Sequence, residues 1–186
     1  LGCWVGGLPE MVGMRAGRTG ANKLAVREVD VQRLLVSGVE HPSVLAAAKA
    51  SGKAVERMPV DGNGVVDLLS LEKLLTGPKA LVSVMLANNE TGVVQPIAEI
   101  AALVHAAGSL LHVDAVQGVA KLQVNFGLLG ADRLTVAAHK VGGPTGIGAL
   151  IISDGLPGEP LLNGGCQELR RRAGPDGRVA HAPARR

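Results

Sequence analysis

Between residues 80 and 153, short apolar runs alternate with the polar residues that close them. That alternation constrains the fold more than any other feature of the sequence. Ala80 to Leu86 is an almost continuous apolar run, suited to a strand buried on both faces. Pro96 to Ala107 reads as a helix, opened by Pro96 and stopped by Gly108. Leu110 to Val113 is a second strand, ending in Asp114, and Arg133 to Ala137 a third, ending just before His139-Lys140. Ile147 to Ser153 is a fourth, an antiparallel return after a glycine-rich turn. Strands alternating with helices predict an α/β fold, a mostly parallel sheet with helices on both faces.

Upstream, Leu34 to Ser37 suits a buried strand. A helix is expected over Ser43 to Ser51, with Pro42 at its first turn. Asp61-Gly62-Asn63-Gly64 is a turn, and Leu68, Leu71, Leu74 and Leu75 recur at helical spacing within Asp67 to Leu75. Residues 1 to 24 are glycine-rich and give no assignment. The sequence predicts a domain over 1–163 and a glycine- and arginine-rich tail over 164–186, loop or disordered.

The chain has 186 residues, enough for one domain with a core. With aromatic residues at 1%, that core must be built from Val, Leu, Ile and Ala. The net charge of +3 gathers near the C-terminus, and no aromatic platform accompanies it, so nucleic acid is not an expected partner. Cys3 and Cys166 stand far apart, which argues against a disulfide framework and for a reducing compartment, cytoplasm or mitochondrion. No apolar run is long enough to span a membrane, and no membrane partner is expected.

Ligands of open α/β sheets sit outside the carboxyl ends of the strands. Polar clusters fall at or near such ends: Glu40-His41, Asn88-Asn89-Glu90-Thr91, Asp114-Ala115-Val116-Gln117 and His139-Lys140. The set matches the needs of pyridoxal 5'-phosphate. Its aldehyde takes a lysine amine, its ring nitrogen a carboxylate, its phosphate the hydroxyls and N–H groups of a helix N-terminus, and its ring a flat partner. Lys140, Asp114, the Thr19 region and His41 offer these in turn. Taken singly, each has a plainer reading: a solvated lysine, a helix-capping aspartate, a turn histidine.

Longer runs carry a resemblance. Ser37-Gly38-Val39-Glu40-His41-Pro42-Ser43-Val44, Met85 to Pro96 (Met-Leu-Ala-Asn-Asn-Glu-Thr-Gly-Val-Val-Gln-Pro), His112 to Gln117 and Ala138 to Leu150 resemble, in order and spacing, the class V aminotransferase family. The likeness is to its cysteine desulfurases and selenocysteine lyases, and it covers roughly residues 8 to 172. It implies an incomplete large cofactor domain of a fold-type-I pyridoxal-phosphate enzyme. It implies that Lys140 bonds to the cofactor aldehyde and later moves the substrate Cα proton, and that Asp114 partners the ring nitrogen. Gln117 would donate to the ring hydroxyl, and His41 would stack on the ring and serve in acid–base work. Asn89 would meet the substrate carboxylate, and Thr19 and His139 would lie on the phosphate side. The implied substrate is L-cysteine or selenocysteine, the implied assembly a homodimer, and the implied partner a sulfur-acceptor protein in iron–sulfur cluster assembly or thiolation.

Departures stand beside the matches. Ala137-Ala138 lacks a hydroxyl usual near the lysine motif, Gly20 stands for a glutamate, Leu169 for an arginine, and Pro175 aligns with a threonine. The family also has an N-terminal arm and a C-terminal small domain that carries the nucleophilic cysteine and a substrate-clamping arginine. The expectation is a truncated chain without that nucleophile, a role Cys166 does not fill. A non-catalytic scaffold that keeps the fold is the competing reading from another class.

Overall fold

The computed structural model describes residues 5–6, 11–119 and 121–156. The expected tail over 164–186, Cys3, Cys166 and the positions of Leu169 and Pro175 lie outside the described residues.

The elements run β1 (Val12–Ala16), α1 (Gly17–Arg27), β2 (Arg33–Ser37), α2 (Pro42–Lys49), β3 (Ala54–Met58), α3 (Leu68–Leu75), β4 (Ala80–Met85), α4 (Ile97–Ala106), β5 (Leu110–Asp114), α5 (Phe126–Leu129), β6 (Arg133–Ala137) and β7 (Ile147–Ile152). A short 3-10 turn, Ala138–Lys140, follows β6. The strands form a seven-stranded sheet in the order β1-β7-β6-β5-β4-β2-β3. β2, β3, β4, β5 and β6 are mutually parallel. β7 runs antiparallel to both β6 and β1, the return expected from the glycine-rich turn before it.

Every residue of β4, β6 and β7 is buried, in β4 as the apolar run Ala80 to Leu86 required. One face of the sheet packs Val82, Val84, Leu111, Val113 and Leu134 against Leu71 of α3 and Ile100 and Val104 of α4. The other face divides in two. Leu34, Val36 and Leu81 meet Val44 and Ala47 of α2, and Leu150 and Ile152 meet Ala21, Leu24 and Ala25 of α1. The layers are thus helix, sheet and helix, and aliphatic side chains with Phe126 fill the core.

β1, α1, β3 and α5 were not read from the sequence. Glycine and arginine dilute the apolar signal of β1 and α1, whose buried face is carried by Ala21, Leu24, Ala25 and Val26. β3 is an edge strand with Ala54 to Arg57 exposed, so no apolar pattern marks it. α5 spans one turn, capped by Asn125 and closed by Gly130 in the left-handed conformation.

Gly148 of β7 lets the backbone fold this tightly. A Cβ there would stand 2.5 Å from the carbonyl oxygen of Gly17, at the junction of β1 and α1. That close approach sets the start of α1 against the sheet.

Candidate functional site

β1 runs in the same direction as β6, because each is antiparallel to β7. The first turn of α1 therefore opens at the same edge as the carboxyl ends of β2, β4, β5 and β6. Thr19, His41, Asn89, Asp114, Gln117, His139 and Lys140 all come off that edge, from five separate chain segments.

Asp114 closes β5 and is fully buried. Its Oδ2 accepts from Arg18 Nε at 2.8 Å and from Asn22 Nδ2 at 2.7 Å, and its Oδ1 accepts from the Val116 amide at 3.2 Å. Arg18 and Asn22 stand one helical turn apart on α1, so both reach the same carboxylate. Asn22 Nδ2 also donates to Ser43 Oγ at 2.9 Å, and Ser43 Oγ lies 2.6 Å from His41 Nδ1. His41 is the N-cap of α2, where Nδ1 accepts from the Ser43 amide at 3.1 Å. A hydrogen-bonded line thus joins Asp114 to His41 through Asn22 and Ser43. An Nδ1 that accepts from a backbone amide leaves Nε2 as the position of the imidazole proton.

Glu40, beside His41, faces inward. Its Oε1 accepts from Ser37 Oγ at 2.8 Å and from the Met85 amide at 2.5 Å. Burial pushes its carboxyl up to about 8, and the negative charge of Asp114 pushes the same way. The Ser37 and Met85 bonds and the charge of Arg18 oppose them. Glu40 is therefore a neutral acid at pH 7. His41 is held below the usual imidazole range by burial and then by the Arg18 guanidinium, against the pull of Asp114. His112 lies under the site in β5, bridging Ser83 Oγ at 2.9 Å and Thr135 Oγ1 at 3.0 Å. Burial lowers it to about 4, with Asp114 opposing and Arg133 and Arg18 assisting, so it is a neutral packing residue at neutral pH.

Lys140 is exposed, at the end of the turn that follows β6. The turn is fixed by Val141 and Gly143 amides that both donate to the Ala138 carbonyl at 2.9 Å. A Cβ at Gly143 would come within 2.8 Å of the Ala138 side chain, so glycine is required for the fold-back. Thr19, Asn89 and His139 are exposed. Gln117 is half-buried, its Oε1 3.5 Å from Lys121 Nζ. Asn88, not Asn89, is tied down: Nδ2 donates to the Val39 carbonyl, and Oδ1 accepts from the Glu90 and Thr91 amides. That clamp presents Asn89 at the tip of the loop.

Comparison with known proteins decides the family. The profile described as Aminotransferase class-V matches residues 16–182. The chain belongs to the class-V aminotransferase family. Among class-V relatives, a protein named cysteine desulfurase from Trichormus azollae is 47% identical over 146 residues, 77% of this chain and 36% of that one. Cysteine desulfurase 2 of Trichormus variabilis is 44% identical over 162 residues, 85% of this chain and 41% of that one. The solved NifS-like protein of Rickettsia africae ESF-5 superposes with a TM-score of 0.87 at 34% identity, over 92% of this chain and 48% of that one. Another NifS-like protein gives 0.92 at 33% identity, over 96% of this chain and 52% of that one. The chain spans well under half the length of these curated class-V relatives.

Class-V enzymes depend on pyridoxal phosphate, whose aldehyde takes a lysine amine and whose ring nitrogen takes a carboxylate. Lys140 offers an exposed amine, and Thr19 and His139 offer exposed polar groups on the same edge. Asp114 supplies a buried carboxylate of the kind a ring nitrogen takes, with Arg18 already on it. The residues the sequence reading missed are Arg18, Asn22, Ser43 and Glu40. Ser43 and Glu40 lie within the motifs quoted above, Glu40 also within a polar cluster, and neither was given a role. Arg18 reaches across 96 positions to Asp114, a distance no local pattern records.

Proposed function

We propose that this chain is the cofactor-holding part of a pyridoxal-phosphate-dependent cysteine desulfurase. The observation that carries the reading is the pairing of adjacent parallel strands. β5 ends in the buried carboxylate Asp114, and β6 ends in the fixed turn that presents Lys140 at the same edge. The relatives named cysteine desulfurase support the substrate.

When bound, the cofactor supplies an electron sink for the substrate Cα. The chain's own residues do the rest. Lys140 would hold the cofactor aldehyde and would serve as the base for the Cα proton. Asp114 would partner the ring nitrogen, and Gln117 the ring hydroxyl. His41, its proton on Nε2, would offer its imidazole to the ring and would relay protons at the substrate. Thr19 and His139 hold the phosphate, and Asn89 the substrate carboxylate. L-cysteine and a thiol would give L-alanine and a persulfide, and the thiol would come from a segment or partner beyond the described residues. A homodimer, a sulfur-acceptor protein and a reducing intracellular compartment belong to the same reading. Selenocysteine would use the same groups.

Mixing the chain with saturating pyridoxal phosphate should produce the visible absorbance of lysine-bound cofactor. Lys140→Ala should abolish that band while leaving the far-ultraviolet circular dichroism unchanged. A folded parent that gives no band overturns the reading in favour of a scaffold.

A further inference from the structure

The carboxylate assigned to the ring nitrogen is already engaged by the chain. Arg18 sits in the first turn of α1 with its side chain only 9% exposed, and its Nε lies 2.8 Å from Asp114 Oδ2. Asn22 Nδ2 takes the same oxygen at 2.7 Å. An sp2 carboxylate oxygen has two in-plane lone pairs, so Oδ2 is filled. Oδ1 already holds the Val116 amide, and Asp114 has no exposed surface. Three of the carboxylate's four lone pairs are thus taken, and a ring nitrogen is left one position on Oδ1, beside a guanidinium.

The guanidinium acts in two ways. It occupies the acceptor, and its permanent charge opposes a second cation at the same carboxylate. Arg18 is also an incompletely satisfied occupant. Its Nη2 is buried with no hydrogen-bond partner among the described residues. A buried donor left unmet weakens the hold of the closed arrangement, so Arg18 can be displaced. Direct contact with Asp114 is thus coupled to a cost that departure relieves.

We propose that Arg18 guards the site: its guanidinium and a ring nitrogen are alternative partners for Asp114, so Arg18 sets how tightly the site holds a pyridine-type cofactor. This rests on the cofactor reading above. With Arg18 in place, the site gains little from a ring nitrogen. With Arg18 removed, Asp114 keeps Asn22 and the Val116 amide and turns a free lone pair toward the ligand.

The test titrates the chain, Arg18→Ala and Arg18→Gln with pyridoxal phosphate, and with an analogue whose ring nitrogen is replaced by C–H. Binding is read from visible absorbance. Arg18→Ala should bind pyridoxal phosphate roughly tenfold tighter than the parent or more, a change equivalent to about 1.4 kcal/mol. It should also prefer pyridoxal phosphate to the analogue, whereas the parent should bind the two almost equally. That preference is a ratio of two constants from one preparation, so lower stability in Arg18→Ala does not obscure it. Arg18→Gln keeps bulk and a donor while losing the charge, and should gain part of the preference.

Equal affinity and equal preference in parent and variants would overturn the guard and leave the cofactor reading standing. Weaker binding by both variants would overturn it too, making Arg18 a ligand-holding residue. No binding by any of the folded proteins would remove the cofactor reading along with the guard.

Discussion

A carboxylate without exposed surface is tolerable only while donors meet its lone pairs, and Asp114 meets its own through Arg18, Asn22 and the Val116 amide. Asn22 is the member with two duties. The same amide nitrogen serves Asp114 and Ser43, and Ser43 in turn meets His41. Asn22→Ala should therefore destabilise the fold by about 2–3 kcal/mol, the cost of leaving a buried charged group short of a donor. Urea unfolding followed by circular dichroism measures it, and a loss no greater than that of a surface substitution would show that Asp114 does not depend on the amide. Asn22→Asp should cost more, since a second carboxylate would then be buried against the first. At this scale the sequence was only half legible. Asp114 and Lys140 stood out because each follows an apolar run within a long motif. Arg18 did not, because a charged residue in a glycine-rich stretch reads as solvated until the fold brings a partner to it.

Among the elements, legibility followed burial. The runs read at Ala80 to Leu86, Leu110 to Val113, Arg133 to Ala137 and Ile147 to Ser153 differ from β4, β5, β6 and β7 by at most a residue at an end, because strands covered on both faces are mostly apolar, with few buried polar residues to interrupt them. β3 escaped for the opposite reason: at the sheet edge its Glu56 and Arg57 face solvent. β1 and α1 escaped because glycine and arginine dilute their apolar signal, and the backbone contact that helps place them, at Gly148, leaves no mark on that signal. An added Cβ would meet the carbonyl oxygen and carbon of Gly17 at 2.5 and 2.6 Å, and backbone cannot rotate away as a side chain would. Gly148→Ala should lower the melting temperature by about 5 °C or more, as overpacking of roughly 1–3 kcal/mol would in a domain of this size. The start of α1 would shift with it, carrying Arg18 and Asn22 out of register with Asp114. An unchanged melting temperature would mean that the junction has slack the close approach does not suggest.

For the molecule as a whole, the polar layer beneath the site makes stability depend on pH in a way that separates two groups. His112 is held at about 4, below its ordinary 6.5, so between those values the unfolded chain binds the proton that the folded chain refuses. Stability therefore rises with pH across that window, and His41, also lowered, acts in the same sense. Glu40 is the reverse. Its folded value of about 8 lies above its ordinary 4.5, so the folded chain keeps a proton that the unfolded chain gives up, and stability falls as pH climbs from 4.5 to about 8. The two effects oppose one another up to pH 6.5, and from there to about 8 Glu40 acts alone. At no more than about 1.4 kcal/mol per pH unit, that interval should remove up to about 2 kcal/mol. Glu40→Gln mimics the protonated acid and keeps an oxygen for the Ser37 hydroxyl and the Met85 amide. It should match the parent near pH 5 and exceed it in stability at pH 8.5, while the acid-side loss from His112 stays as it was. Urea midpoints from pH 4 to 9 decide the matter. If the alkaline decline survives in Glu40→Gln, the proton that the fold holds is not on Glu40, and the ionisation destabilising the edge of the site must be sought elsewhere in the sheet.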